Sequence, residues 1–187
     1  MTNTPPIWLH PGFAKTGTTS LQKLLLTQHR QLAAITPVAP FLELQAAMRC
    51  VADSHYNEAE LYDLARSTVL NISGSQTRAL VYSDERLTAM PSMWLTIAER
   101  LKRIFPDAHV LFTIRNQLDA VKSHYAHMGR FLHNVPQPYW GRHVPLDAWL
   151  EYSYGSWPHS CFNVFDYDNV IQLYEDAFGR ERIHVFT

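Results

Sequence analysis

Charge is scarce in this chain and nearly balanced: charged residues fill 18% of the 187 positions, and the formal net charge is -1 with histidine neutral. No global basic field marks a binder of nucleic acid or anionic lipid. Any anion site must be local, built from a few cations and backbone N–H groups. Long apolar runs are also missing, so a membrane span of about 20 consecutive apolar residues has no candidate. Cysteine occurs twice, at Cys50 and Cys161. The two lie far apart, match no metal spacing and read as small buried hydrophobes. The ten histidines show no HExxH or other tight ligand grouping, so no metal is expected. The opening Met-Thr-Asn-Thr-Pro-Pro has no Lys or Arg and leads into only a short apolar run. A secretory leader needs a basic start and a longer apolar stretch, so the expected location is the cytoplasm. Apolar residues, by contrast, make up 47%. That fraction suits one soluble domain over residues 1–187, with a substantial core.

Short apolar segments alternate with helical patterns. Strands are expected at Ile7–His10, Ala79–Tyr82, His109–Ile114 and Ile183–Phe186. The third is near-continuously apolar, as a parallel strand covered on both faces should be. A helix is expected from Thr18, with Leu21, Leu24, Leu25 and Leu32 at helical spacing. Further helical patterns cover Phe41–Val51 and Glu58–Leu70. Pro91 opens a helix whose apolar face carries Trp94, Ile97, Leu101, Ile104 and Phe105. Helices also fit Gln117–Met128, Leu146–Tyr154 and Tyr167–Phe178, with Gly179 as a C-cap. This alternation predicts an α/β domain: a short central parallel sheet flanked by helices, three layers of the P-loop type. In such sheets ligands sit beyond the C-terminal strand ends. Three polar segments follow three predicted strands, at Pro11–Ser20, Ser83–Arg86 and Arg115–Ser123. One sheet edge would bring them together.

The first polar segment, His10-Pro11-Gly12-Phe13-Ala14-Lys15-Thr16-Gly17-Thr18-Thr19-Ser20, joins a strand to a helix. Glycines allow a tight turn and close approach, and a helix start offers unpaired N–H groups with partial positive charge. Thr18, Thr19 and Ser20 add hydroxyl donors, and Lys15 adds a point charge. Phosphate is the natural occupant; the plainer alternative is a polar turn with a Ser/Thr helix cap. A nucleoside-triphosphate loop reads G-x-x-x-x-G-K-[ST]. Gly12 and Gly17 have that spacing, but Thr18 stands where the Lys belongs. A kinase-like phosphotransferase is therefore the weaker alternative, and a non-catalytic nucleotide-binding module is a third.

Lys-Thr-Gly-Thr-Thr-Ser-Leu-Gln after a short strand resembles the 5′-phosphosulfate loop of the sulfotransferase family. The resemblance implies that Lys15, Thr16, Gly17, Thr18, Thr19 and Ser20 wrap the 5′-phosphate of 3′-phosphoadenosine 5′-phosphosulfate (PAPS), with Lys15 at the bridging oxygen. Arg115 and Ser123 are eight residues apart, roughly 12 Å along a helix axis. One phosphate can meet both only if Arg115 precedes the helix. Alone, Arg115 reads equally as a surface salt-bridge residue and Ser123 as a neutral helix position. As a pair they resemble the family's 3′-phosphate motif, and Tyr125 and Met128 extend the likeness.

Sulfuryl transfer also needs a base for the acceptor hydroxyl. Ser83-Asp84-Glu85 resembles the family's Ser-x-Glu segment and makes Glu85 the first choice. Against this, Glu85 or Asp84 could simply pair with Arg86 or cap a turn, and His124 and His127 are alternative bases. The resemblance implies a hydroxylated acceptor, a carbohydrate or small metabolite, and needs no metal. Among the aromatics, Trp149 inside a predicted helix reads as core, while Tyr139-Trp140 in the Phe131–Pro145 loop reads evenly as cleft or core. Phe165–Phe186 resembles the helix and strand before the family's Tyr-Glu-x-Leu segment, which does not follow here. The expectation is a domain lacking its C-terminal part, binding weakly or turning over poorly.

Overall fold

Five short apolar segments extend and pair side by side: β1 (Ile7–Gly12), β2 (Leu32–Ile35), β3 (Ala79–Ser83), β4 (His109–Thr113) and β5 (Ile183–Phe186). The computed structural model describes residues 5–35, 41–49, 55–73, 79–129, 137–156 and 161–187. Cys50, Trp157 and positions 131–136 of the aromatic loop lie outside them, as does the side chain of Cys161. All pairings are parallel, in the order β2-β3-β1-β4-β5. Leu9 lies opposite Tyr82 on one side and Val110 on the other, and all three are buried. The chain leaves central β1 for one edge of the sheet and later crosses to the other. The ends of β1, β3 and β4 therefore flank a switch point, where open α/β sheets bind ligands.

Helices pack against this sheet: α1 (Thr18–Ser20), α2 (Phe41–Arg49), α3 (Glu58–Ser73), α4 (Trp94–Ile104), α5 (Gln117–His124), α6 (Leu146–Gly155) and α7 (Tyr167–Phe178). The apolar stripe of α4 is buried as its spacing requires, at Trp94, Ile97, Ala98, Leu101 and Ile104. Arg100 is buried on the same helix because its guanidinium donates to the carbonyls of Ala47 and Met48, 2.7 and 3.0 Å away near the C-terminal end of α2. A cation at that end also meets the negative pole of the helix. Tyr174 of α7 meets the Phe112 ring edge-on at 5.2 Å, and Gly179 caps the same helix. Trp149 is fully buried against Tyr125 and Phe162, so it serves the core. Among the described residues no helix is long and apolar enough to cross a membrane.

Two expectations need correction. The helix from Thr18 does not run on to Leu32. After α1 the chain widens into π-helical turns at Leu21–Leu26, and Leu32 opens β2, a fifth strand. Hydrogen bonds spanning five residues break the three-and-four spacing of a helical face. Leu24 and Leu25 are accordingly exposed, and Leu26 is buried instead. The helix from Gln117 likewise ends as α5 at His124 and continues in π-helical turns over Tyr125–Gly129.

Candidate functional site

The end of β1 is shaped by close approach. Gly12 has φ 134°, and a Cβ there would sit 2.7 Å from Thr88 Oγ1. Glycine lets the strand lie against the turn Glu85–Thr88, and the Thr88 hydroxyl lies 3.2 Å from the carbonyls of Pro11 and Glu85. Lys15 adopts φ 65°, a left-handed conformation that costs a non-glycine residue roughly 1–2 kcal/mol. It persists because the Thr16 hydroxyl donates to the Phe13 carbonyl at 2.6 Å and closes the Phe13–Thr16 turn. Gly17, at φ 91°, then starts α1, whose first turn receives no side-chain cap.

After β3, Asp84 is buried and takes the capping role. Its Oδ1 accepts from the Arg86 backbone N–H at 3.1 Å and from Arg86 Nε at 2.9 Å. Asp84 thus absorbs the pairing and capping that Glu85 was equally open to. Glu85 turns toward the loop after β1, where its carboxylate accepts a hydrogen bond from the Thr18 hydroxyl. After β4, Asn116 caps α5 by accepting from the Leu118 N–H at 3.0 Å. Arg115 therefore precedes the helix, as joint contact with Ser123 demands.

These segments converge. A cavity of about 240 Å³ is lined by Lys15, Gly17, Thr18, Thr19, Ser20, Glu85, Arg115 and Ser123. Two cations and a set of hydroxyls face one carboxylate, a local anion-attracting surface on a chain of net charge -1. Thr16 is the one residue of Lys15–Ser20 that does not line the cavity. Its hydroxyl is engaged by Phe13 and lies 2.8 Å from that of Thr113. His124 and His127 do not line the cavity. His124 is buried, stacked on Trp149 and edge-on to Phe165, and neither ring nitrogen has a partner among the described residues. Burial, with smaller contributions from the charge of Lys15 and from His127, pulls its pKa down to about 4. Among the described residues no three His, Cys, Asp or Glu side chains are grouped to hold a metal ion.

The model of the sulfotransferase family matches residues 11–176, nearly the whole span that carries these elements. The chain belongs to the sulfotransferase family. A crystal structure of a sulfotransferase from Alicyclobacillus acidocaldarius superposes over 97% of this chain and 72% of its own, with TM-score 0.64 and 20% identity. The α/β fold of this family member is thus shared with a solved sulfotransferase. A gluconokinase from Sinorhizobium meliloti 1021 aligns over 97% of this chain and 82% of its own, with TM-score 0.38 and 8% identity. No curated protein matches.

Sequence reasoning missed one group beside this cavity. His10 is fully buried at the end of β1, with Nδ1 2.7 Å from Ser83 Oγ and Nε2 3.1 Å from Thr113 Oγ1. Burial lowers its pKa to about 4. The available signal was a polar residue closing each of three apolar strands, at His10, Ser83 and Thr113.

Proposed function

We propose that this sulfotransferase moves a sulfuryl group from PAPS to a hydroxyl of a carbohydrate or small metabolite, and that residues 1–187 act as one nucleotide-binding domain. The observation that carries the reading is the single cavity shared by Lys15, Glu85, Arg115 and Ser123. Its volume of about 240 Å³ suits the charged groups of a nucleotide rather than the whole molecule. Lys15 and the Gly17–Ser20 turn hold the 5′-phosphosulfate; Arg115 and Ser123 hold the 3′-phosphate. Glu85 accepts the proton of the acceptor hydroxyl as its oxygen bonds to sulfur. The sulfur–oxygen bond to the 5′-phosphate breaks, and Lys15 neutralises the charge that grows on the departing oxygen. The Thr18 hydroxyl, donating to Glu85, holds that carboxylate beside the reacting centre. Protein groups here act by positioning and charge stabilisation, as in phosphoryl transfer. For the acceptor, Trp140 is an exposed ring of the kind that stacks on sugars, while Trp149 is committed to the core.

Calorimetric titration with 3′-phosphoadenosine 5′-phosphate and, separately, with ATP and Mg²⁺ tests the donor. Preference for the bisphosphate is expected. Preference for ATP overturns the reading in favour of a phosphotransferase.

A further inference from the structure

The hydrogen bonds beneath the cavity run in one direction, and that direction can be derived atom by atom. The Thr16 hydroxyl donates to the Phe13 carbonyl, which can only accept. Its single hydrogen is then spent, so across the 2.8 Å contact it is Thr113 that donates to Thr16. Thr113 has then used its own hydrogen, and must accept from His10 Nε2 at 3.1 Å. A neutral imidazole carries one N–H, so Nδ1 accepts from the Ser83 hydroxyl at 2.7 Å. At the far end the Gln22 amide donates to Ser83 Oγ at 3.0 Å, with the Ser83 carbonyl 3.4 Å from the same nitrogen. Every hydroxyl in the chain gives once and receives once. The relay runs from Gln22 through Ser83, His10, Thr113 and Thr16 to Phe13.

We infer that His10, held neutral as the Nε2–H tautomer, is a positioning residue that sets the conformation of Lys15 through this relay. The last link closes the Phe13–Thr16 turn, and Lys15 lies inside that turn with its left-handed φ of 65°. Main-chain bonds brace the same frame: Asp84 N–H donates to His10 O at 3.0 Å, and Phe13 N–H to Thr113 O at 3.2 Å. The same buried hub therefore ties the strand ends that carry Lys15, Glu85 and Arg115. Its role rests on Lys15 serving the leaving oxygen.

Two measurements test the relay on the 187-residue chain. The first is independent of activity: ¹⁵N-detected imidazole NMR of the folded protein at neutral pH should show His10 protonated at Nε2. Protonation at Nδ1 overturns the inference. The second removes the middle link with the near-isosteric Thr113→Val, assayed with PAPS in wild-type and Lys15→Ala backgrounds. Misplacing the ammonium should lower kcat by about 10- to 100-fold when Lys15 is present. In the Lys15→Ala background the same change should cost less than about twofold, because no ammonium remains to position. Thr113→Ser, which keeps the hydroxyl, should restore most of the rate. Equal losses in both backgrounds would reduce the network to ordinary structural support and overturn the inference. If wild-type chain neither binds the bisphosphate nor transfers sulfate, the donor reading falls instead, and the tautomer measurement still decides the relay.

Discussion

The loop after β1 and the segment after β4 face the same cavity with a cation each, but they are built differently. Lys15 is half-buried on strained backbone, in a turn tied through Thr16 to Thr113, His10 and Ser83 of three strands. Arg115 is exposed, and it stands before a helix that begins with an ordinary Asn cap. Rigidity matters for a charge that must already be aimed when the transition state forms, since a preorganised donor then needs no reorganisation. A long flexible side chain is enough for a phosphate that is equally charged before and after reaction. The difference fits the proposed division of roles, with the first segment serving the chemistry and the second holding the nucleotide.

Exchanging Lys15 for Ala is the sharpest way to break that division. The variant should lose about 100- to 1,000-fold in kcat, the scale of removing one transition-state donor, while the affinity for 3′-phosphoadenosine 5′-phosphate changes far less. Steady-state sulfate transfer and calorimetry on the same preparation check both halves. A fall in product affinity as large as the fall in kcat would erase the contrast.

Acid offers a second test, because each segment has a buried histidine behind it: His10 under the first, His124 on the helix of the second. Both are depressed from 6.5 to about 4, with burial as the leading cause. The sign follows from which state takes up the proton first. As pH falls below 6.5 the unfolded chain is protonated while the folded chain resists, so stability is complete above about 6.5 and erodes toward 4. Each residue can cost on the order of 3 kcal/mol over that window. Urea midpoints measured between pH 7 and pH 5, above most carboxylate titration, should decline, and His124→Phe should flatten the decline. A pH-independent midpoint would mean that neither imidazole is kept neutral by folding.

Arg115→Ala should act at the binding step. Loss of a charge-assisted contact costs about 1.5–3 kcal/mol, roughly 10- to 150-fold in Kd, with kcat at saturating donor nearly unchanged. A salt series strengthens the test, since an exposed cation is screened where a half-buried one is less so.

The two segments also differed in how far the sequence revealed them. Contacts within a few residues were readable: the glycine spacing around Lys15, the apolar stripe of α4, the near-continuous apolar run of β4. Arg115 and Ser123 were readable as a pair only through their resemblance to the family's 3′-phosphate motif, and both line one cavity. β2 was not, since Leu32-Ala-Ala-Ile is short and its first leucine extends the helical pattern of Leu21, Leu24 and Leu25. The choice there is made by pairing with β3, a tertiary contact that spacing does not encode. His10 was unreadable for the same reason. Its ring partners lie 73 and 103 residues away, and only the assembled sheet brings them within hydrogen-bond reach.

The smallest effect falls on the second segment's scaffold rather than its charge. Asn116 supplies the cap of α5, accepting the Leu118 N–H at 3.0 Å, and it separates Arg115 from the helix carrying Ser123. Asn116→Ala should cost about 1 kcal/mol of stability by leaving that N–H without its side-chain partner, whereas Asn116→Asp should be close to neutral. Because the cap also sets where the helix begins, Kd for the bisphosphate nucleotide should rise modestly in the Ala variant and kcat should hold. If Asn116→Ala instead depressed kcat without weakening binding, the β4 segment would be contributing to the reacting centre, and the separation of roles between the two cations would have to be redrawn.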